Sequence, residues 1–109
     1  MSVLSCMYIY FSQPAPDPPS DLTLSRTAMD VLLVSWTAPS QAVTGYVIYY
    51  QQDGGERMSV SVEASATSYT ITGLTTGATY SISMVATSNT LSSTVIGPQT
   101  ITIGIVYVL

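Results

Sequence analysis

The side chains of this chain that could carry out catalytic chemistry are carboxylates, because its 109 residues include no histidine and no lysine. Without these bases there is no Ser-His or Cys-His pair for nucleophilic catalysis and no amine for Schiff-base chemistry. Asp53, Glu56 and Glu63 could act as acid and base, but their spacing matches no calcium loop and no paired active-site carboxylates. We therefore predict no enzyme activity, no cofactor and no metal site, and interpret these carboxylates as solvated turn and edge charges.

The charge of the chain gives no basis for binding phosphate. Two arginines and six carboxylates give a net charge of −4, so nucleic acid is not an expected partner. Gly54 and Gly55 are not part of a P-loop pattern, which leaves them a role in a turn.

The apolar ends MSVLSCMYIYF and ITIGIVYVL are too short to span a bilayer, and the first lacks the features of a signal peptide. We expect no membrane insertion by this segment.

The only cysteine, Cys6, cannot form a disulfide within the chain. We expect a monomer, with a dimer linked through Cys6 as the alternative.

A proline cluster from Gln13 to Asp21 fixes φ repeatedly and removes backbone donors, so it should run extended before the folded unit. The expected organisation is an N-terminal tail and proline-rich linker at 1–19, one domain at 20–104, and a tail or strand extension at 105–109.

The elements that must position any surface site are short β-prone runs that recur along the chain and are separated by turn residues. Seven such runs follow one another: DLTLSR, VLLVSWT, GYVIYYQ, RMSVSVE, SYTIT, TYSISMVAT and QTITI. The pair Gly54-Gly55 between the third and fourth runs tolerates positive φ, as a tight hairpin requires, so these two runs should be antiparallel neighbours. No helical periodicity interrupts the series, which predicts an all-β antiparallel sandwich or barrel.

The period of two along each run predicts which side chains face the core. Val60 and Ile101 are expected to complete a set whose other members are large or aromatic side chains at alternate positions. That set is Leu22, Leu24, Leu32, Val34, Trp36, Tyr46, Ile48, Tyr50, Ile71, Leu74, Tyr80, Ile82, Met84 and Ala86.

One tyrosine is predicted to support the crossing between two sheets. Backbone groups at such a crossing lose their ladder partners. Tyr80 begins the sixth run, six residues after Leu74, with Gly77 placed to make the turn. We expect its ring to be buried and its hydroxyl to bond the backbone a few residues upstream, as in the tyrosine corner of β-sandwiches.

At this point residues 17–103 resemble a fibronectin type III domain. Trp36 followed by Thr-Ala-Pro resembles the second strand of that family, Tyr46 and Tyr50 its third strand, and Leu74 with Tyr80 its tyrosine corner. The resemblance implies a seven-stranded antiparallel Greek-key β-sandwich. Strands one, two and five (A, B and E) would form one sheet, and strands three, four, six and seven (C, C′, F and G) the other.

Two features depart from the family's usual pattern, and one other family remains a competitor. Thr76 stands where proline is usual, and Ser and Thr replace much of the usual charged surface. An immunoglobulin domain is the alternative, because Thr76, Ala78, Tyr80 and Ile82 lie where its Asp-x-Ala-x-Tyr-x-Cys pattern would fall. The acidic residue and the cysteine of that pattern are missing here, which favours the fibronectin interpretation.

The resemblance implies a non-catalytic protein-binding or adhesion module, one repeat of a cell-surface receptor or extracellular matrix protein. Its location would then be extracellular or at the cell surface, and its partner another protein or the neighbouring domains of a parent chain. The alternatives are a purely structural spacer and an accessory domain of a larger secreted enzyme or cytoskeletal protein. Arg-Gly-Asp, the integrin-binding triplet of some family members, does not occur here.

Two candidate binding surfaces follow from the predicted strands. Val47 and Tyr49 on the third strand should point away from the core, with Val85 of the sixth strand alongside, and exposed tyrosine flanked by apolar side chains is typical interface material. The second candidate is the loop from Ser88 to Ser93, with Asn89 and an apolar tip at Leu91.

Overall fold

The computed structural model describes residues 15–103 and forms two antiparallel sheets whose inner faces share one core. Strands form where Val, Ile, Thr and Tyr alternate with polar residues. Their bounds are β1 (Ser20–Ala28), β2 (Val31–Thr37), β3 (Gly45–Gln52), β4 (Arg57–Glu63), β5 (Ser68–Ile71), β6 (Thr79–Ser88), β7 (Leu91–Ser92) and β8 (Ile96–Thr102). The prediction of an all-β antiparallel sandwich is confirmed.

The strand order also agrees with the predicted sheets. One sheet has the order β1-β2-β5, and the other has the order β4-β3-β6, with β7 and β8 both paired to β6. The prediction missed β7, a two-residue strand formed because Asn89 takes a positive φ of 56° and folds the chain back so that Leu91 pairs with Ser88. Gly54, with a φ of 79°, makes the predicted hairpin between β3 and β4.

The core contains most of the side chains predicted from the period of two. Leu32, Val34, Ile48, Ile82, Met84 and Ala86 have no exposed surface, and Ile103 and Val62 join them although they were not predicted. Leu24 and Tyr50 were predicted as core residues but are only partly buried, because β1 is an edge strand and Tyr50 lies near the end of β3. Val60 and Ile101 are also partly buried against the core.

Two aromatic rings connect the sheets at the centre of this core. Trp36 is the penultimate residue of β2 in the smaller sheet and Tyr46 the second residue of β3 in the larger one, and their rings meet edge to face with centroids 5.3 Å apart. Both side chains are buried, and neither the Trp36 Nε1 nor the Tyr46 hydroxyl meets a hydrogen-bond partner among the described residues. The pair therefore acts through packing and ring geometry.

Side chains of β1 and β8 close one open side of the sandwich. The Arg26 Nη1 donates to the Thr102 carbonyl over 3.1 Å, and the Gln99 Nε2 donates to the Leu22 carbonyl over 2.7 Å. Each bond joins a strand of one sheet to a strand of the other.

Pro16 and Pro19 are buried, so packing against the sandwich starts before β1. Cys6 and the predicted tail at 105–109 lie outside the described residues, so what the sequence indicates about them stays a prediction.

A bulge in β8 depends on a glycine. Ile96 pairs with Met84 and Gln99 with Ile82, so Gly97 and Pro98 lie opposite the single residue between them on β6. Gly97 has a φ of 89°, and a Cβ added there would lie 2.8 Å from the carbonyl oxygen of Ile82. Only glycine fits this approach without movement of the backbone.

We expect Gly97→Ala to destabilise the fold more than Gly73→Ala, with urea unfolding as the measurement. Gly73 also has a positive φ, 73°, but an added Cβ would meet nothing within 4 Å. Gly73→Ala should therefore cost only the left-handed backbone strain, about 1–2 kcal/mol, whereas Gly97→Ala adds a backbone collision. Equal losses in the free energy of unfolding would contradict the assignment of the bulge.

Candidate functional site

The outer face of the larger sheet brings together most of the predicted surface residues. Tyr49 of β3 lies between Ser59 of β4 and Ser83 of β6 in the cross-strand register. Val47 lies in the next outward row, between Ser61 and Val85. On this face the Tyr49 ring is therefore flanked by serine hydroxyl groups on both neighbouring strands.

Arg57 adds a positive charge to this aromatic ring. Its Cζ lies 3.9 Å from the centroid of the Tyr49 ring, which is the geometry of a cation–π contact. Ser59 is the residue directly opposite Tyr49, so Arg57 is a diagonal neighbour within reach of a long side chain. Sequence reasoning missed Arg57, although the hairpin at Gly54 sets the register that would have indicated it.

The ring and the guanidinium line an open groove of about 410 Å³. Val95 and Pro98, from the segment around the start of β8, also line it, and Val95 is 54% exposed. Gln51, Ser81 and Ser83 also line the groove. Neither Val95 nor Pro98 was predicted, because the bulge that carries Pro98 against β6 has no period that sequence inspection detects.

Two of the predicted surface residues need correction. Val85 does lie beside Val47, but it is only 4% exposed and therefore offers almost no contact surface. Leu91 is not a loop tip, because its pairing with Ser88 in β7 leaves it half-buried. Asn89 is exposed as expected, its positive φ and the donation of its backbone N–H to the Thr44 Oγ1 over 2.9 Å form the turn before β7, and its binding role stays a prediction.

Two of the carboxylates considered as an acid–base pair, Glu56 and Glu63, are separated. Glu56 precedes β4 and Glu63 ends it, so the length of the strand lies between them. Within residues 15–103 no group of three Cys, Asp or Glu side chains could hold a metal ion. In the same range, no helix is long and apolar enough to cross a membrane.

The predicted role of Tyr80 is confirmed. Its side chain is 6% exposed, and the backbone N–H of Thr75, five residues upstream, donates to its hydroxyl over 2.9 Å. The hydroxyl in turn donates to the Gln52 Oε1 over 3.4 Å. Gly77, with a φ of 86°, makes the turn that returns the chain to Tyr80. The tyrosine therefore fixes the corner at the entrance to β6.

Comparison with known proteins agrees with this geometry. The family model described as "Fibronectin type III domain" matches residues 17–98. Mouse tenascin-R is 34% identical over 83 residues, which cover 72% of this chain and 6% of that protein. A two-domain fibronectin type III segment of chicken tenascin has a TM-score of 0.70 at 28% identity, over 78% of this chain and 47% of that one.

A second solved structure covers more of the chain. The fibronectin type III domain of the human collagen α-1(XX) chain has a TM-score of 0.77 at 26% identity, over 90% of this chain and 94% of that one. By contrast, the chain spans only 4–6% of the length of the first curated relatives it matches. The likeness therefore concerns one domain of much longer proteins.

We expect Tyr80→Phe to lower the free energy of unfolding by about 1–2 kcal/mol, because the mutation leaves the Thr75 N–H without its acceptor. Tyr46→Phe is the matched control in the same core, since the Tyr46 hydroxyl has no partner among the described residues. Removal of the Tyr46 hydroxyl should leave the free energy of unfolding unchanged or slightly raised. Chemical denaturation of both variants measures the difference, and equal stabilities would remove the corner role from Tyr80.

Proposed function

The chain belongs to the fibronectin type III family, and from this premise we propose that it is a non-catalytic protein-interaction module whose contact surface is the outer face around Tyr49 and Arg57. The family match and the similarity to tenascin repeats support an adhesion or matrix role. Any activity or partner of a longer parent protein also remains a proposal. The reason is that the chain spans only 4–6% of the length of the relatives it matches.

The observation that carries the choice of surface is the stacking of the Arg57 guanidinium on the Tyr49 ring. Tyr and Arg are enriched among residues that dominate binding energy at protein interfaces. Here both side chains lie on adjacent strands and hold each other in place, so little further rotamer freedom remains to be lost on binding. The groove beside them is open and mixes hydroxyl with apolar groups.

The chemistry of the groove indicates the kind of partner segment. Arg57 is one of only two cations in the chain, and the other, Arg26, donates to the Thr102 carbonyl at the β1–β8 side. A partner with a carboxylate beside an apolar side chain would pair its charge with Arg57 and place its apolar group against Tyr49 and Val95. The serine hydroxyls of the groove can bond its backbone.

The expected extracellular or cell-surface location belongs to this proposal and is supported by the family resemblance. Two alternatives give different outcomes in a binding experiment. A structural spacer would contact only neighbouring domains of the parent chain, and an accessory domain of an enzyme or cytoskeletal protein would act only beside that larger unit.

We expect Tyr49→Ala to weaken partner binding by about thirtyfold or more, since truncation of an aromatic residue that dominates an interface costs about 2 kcal/mol or more. The tagged chain is first used to isolate a partner from matrix extract, and the affinity of that purified partner is then measured for each variant. Tyr69→Ala is the control, because Tyr69 is a half-buried tyrosine on β5 of the other sheet. Equal affinity of wild type and Tyr49→Ala would contradict the proposed surface.

A further inference from the structure

One edge strand of the sandwich lacks the irregularities that protect the others from pairing. β1 contains two register shifts and a positive φ at Asp21, and β8 contains a bulge and Pro98. β5 has four residues and β7 has two. By contrast, β4 pairs with β3 without interruption over all seven of its residues. Irregular or short edges resist the addition of a further strand, whereas a regular one accepts it.

The free side of β4 is accessible. Arg57, Met58, Ser59, Ser61 and Glu63 are all exposed, and Met58 retains 50% of its surface. In an antiparallel ladder alternate residues direct both N–H and C=O to the same side, so alternate residues of β4 present unpaired backbone groups on the side away from β3. These groups can be satisfied by another strand.

The sequence of β4 is complementary to itself in the antiparallel direction. Turned about Val60, the strand Arg-Met-Ser-Val-Ser-Val-Glu places Arg57 opposite Glu63, Met58 opposite Val62 and Ser59 opposite Ser61. In this register apolar side chains lie opposite apolar ones and hydroxyls opposite hydroxyls. The positive Arg57 lies opposite the negative Glu63 at each end. From this we propose that β4 binds β4 of a second copy of this chain in antiparallel register, which joins the larger sheets of two copies across a two-fold axis at Val60.

The two charge pairs fix the register. A shift of two residues would place both Arg57 side chains opposite hydroxyls or beyond the strand end and would lose both ion pairs, while a shift of one would mix polar with apolar side chains. In the single chain the Arg57 guanidinium lies over the Tyr49 ring on β3, so its pairing with the carboxylate of Glu63 in the second copy requires this exposed side chain to turn toward the free edge. Pairing of Met58 with Val62 also removes exposed apolar surface.

The contact is small, which determines its strength. One seven-residue edge buries less than the roughly 1,200 Å² of a stable interface, so we expect a weak dimer with a dissociation constant on the order of 100 µM. The contact is isologous, because each copy contributes the same strand. It does not use the Cys6 thiol, but it shares Arg57 with the proposed partner groove.

Sedimentation velocity of the full 109-residue chain up to about 1 mM tests the association. All samples carry Cys6→Ser so that a disulfide is not counted as strand pairing. Proton–nitrogen NMR spectra over the same concentrations locate the contact, and we expect concentration-dependent shifts along β4 and slower exchange of its edge amides. A chain that stays monomeric to 1 mM, or shifts confined to another edge or to the outer face, would overturn the proposal.

A charge exchange tests the register. Arg57→Glu alone and Glu63→Arg alone each place like charges opposite one another at both ends of the interface and should weaken dimerisation by about tenfold or more. The double variant Arg57→Glu/Glu63→Arg should restore it, because the pairs are reversed but complementary. Asp30→Arg makes the same change in net charge as Glu63→Arg but lies in the β1–β2 turn, and it should leave dimerisation unaltered.

The variants change exposed side chains, so circular dichroism and urea midpoints should match those of the parent chain and show that the fold persists. Failure of the double variant to regain association would overturn the register. An effect of Asp30→Arg as large as that of Glu63→Arg would show that net charge, and not strand pairing, controls association.

Discussion

The structure depends on the contact between the two sheets at Trp36 and Tyr46. Each sheet has one apolar face, and neither face can be buried unless the other covers it. The two rings meet edge to face across the interior, with aliphatic side chains of β2, β3 and β6 around them. Because strand side chains alternate, this burial also fixes the orientation of every other residue on the same strands. The inner contact therefore decides what the protein presents to solvent.

The exposed site follows from that alternation. With Tyr46, Ile48 and Tyr50 turned inward, Val47 and Tyr49 must lie on the outer face. The hairpin at Gly54 then sets the register with β4 and brings Arg57 diagonally across Tyr49. No loop needs to position either side chain. The ring and the guanidinium thus lie on a sheet that the core holds rigid, which is the usual requirement for a preorganised contact surface.

Sequence reasoning was accurate where a residue's environment follows from local period or turn chemistry. Most strands, most of the core and the bond that Tyr80 accepts from Thr75 belong to this class, whereas the division of the strands between two sheets came from the family resemblance. It failed where the environment depends on which strand lies alongside. Val85 has the period of an exposed residue but is buried, and Val95 joins the groove only through the bulge at Gly97. The pairing of a bulged strand has no periodic signal.

The shortage of charge on this chain bears on how its edges behave. Proteins commonly protect a free edge with lysine or with charges that point inward, and this chain contains no lysine. β1 and β8 are protected by backbone irregularity, and side chains from Arg26 and Gln99 also tie them to each other. β4 has neither form of protection, since its inward side chains Met58, Val60 and Val62 are all apolar. Two of the eight charged residues of the chain stand at its ends, with opposite signs. Like charges at both ends would repel an antiparallel copy of the strand, whereas charges of opposite sign attract one.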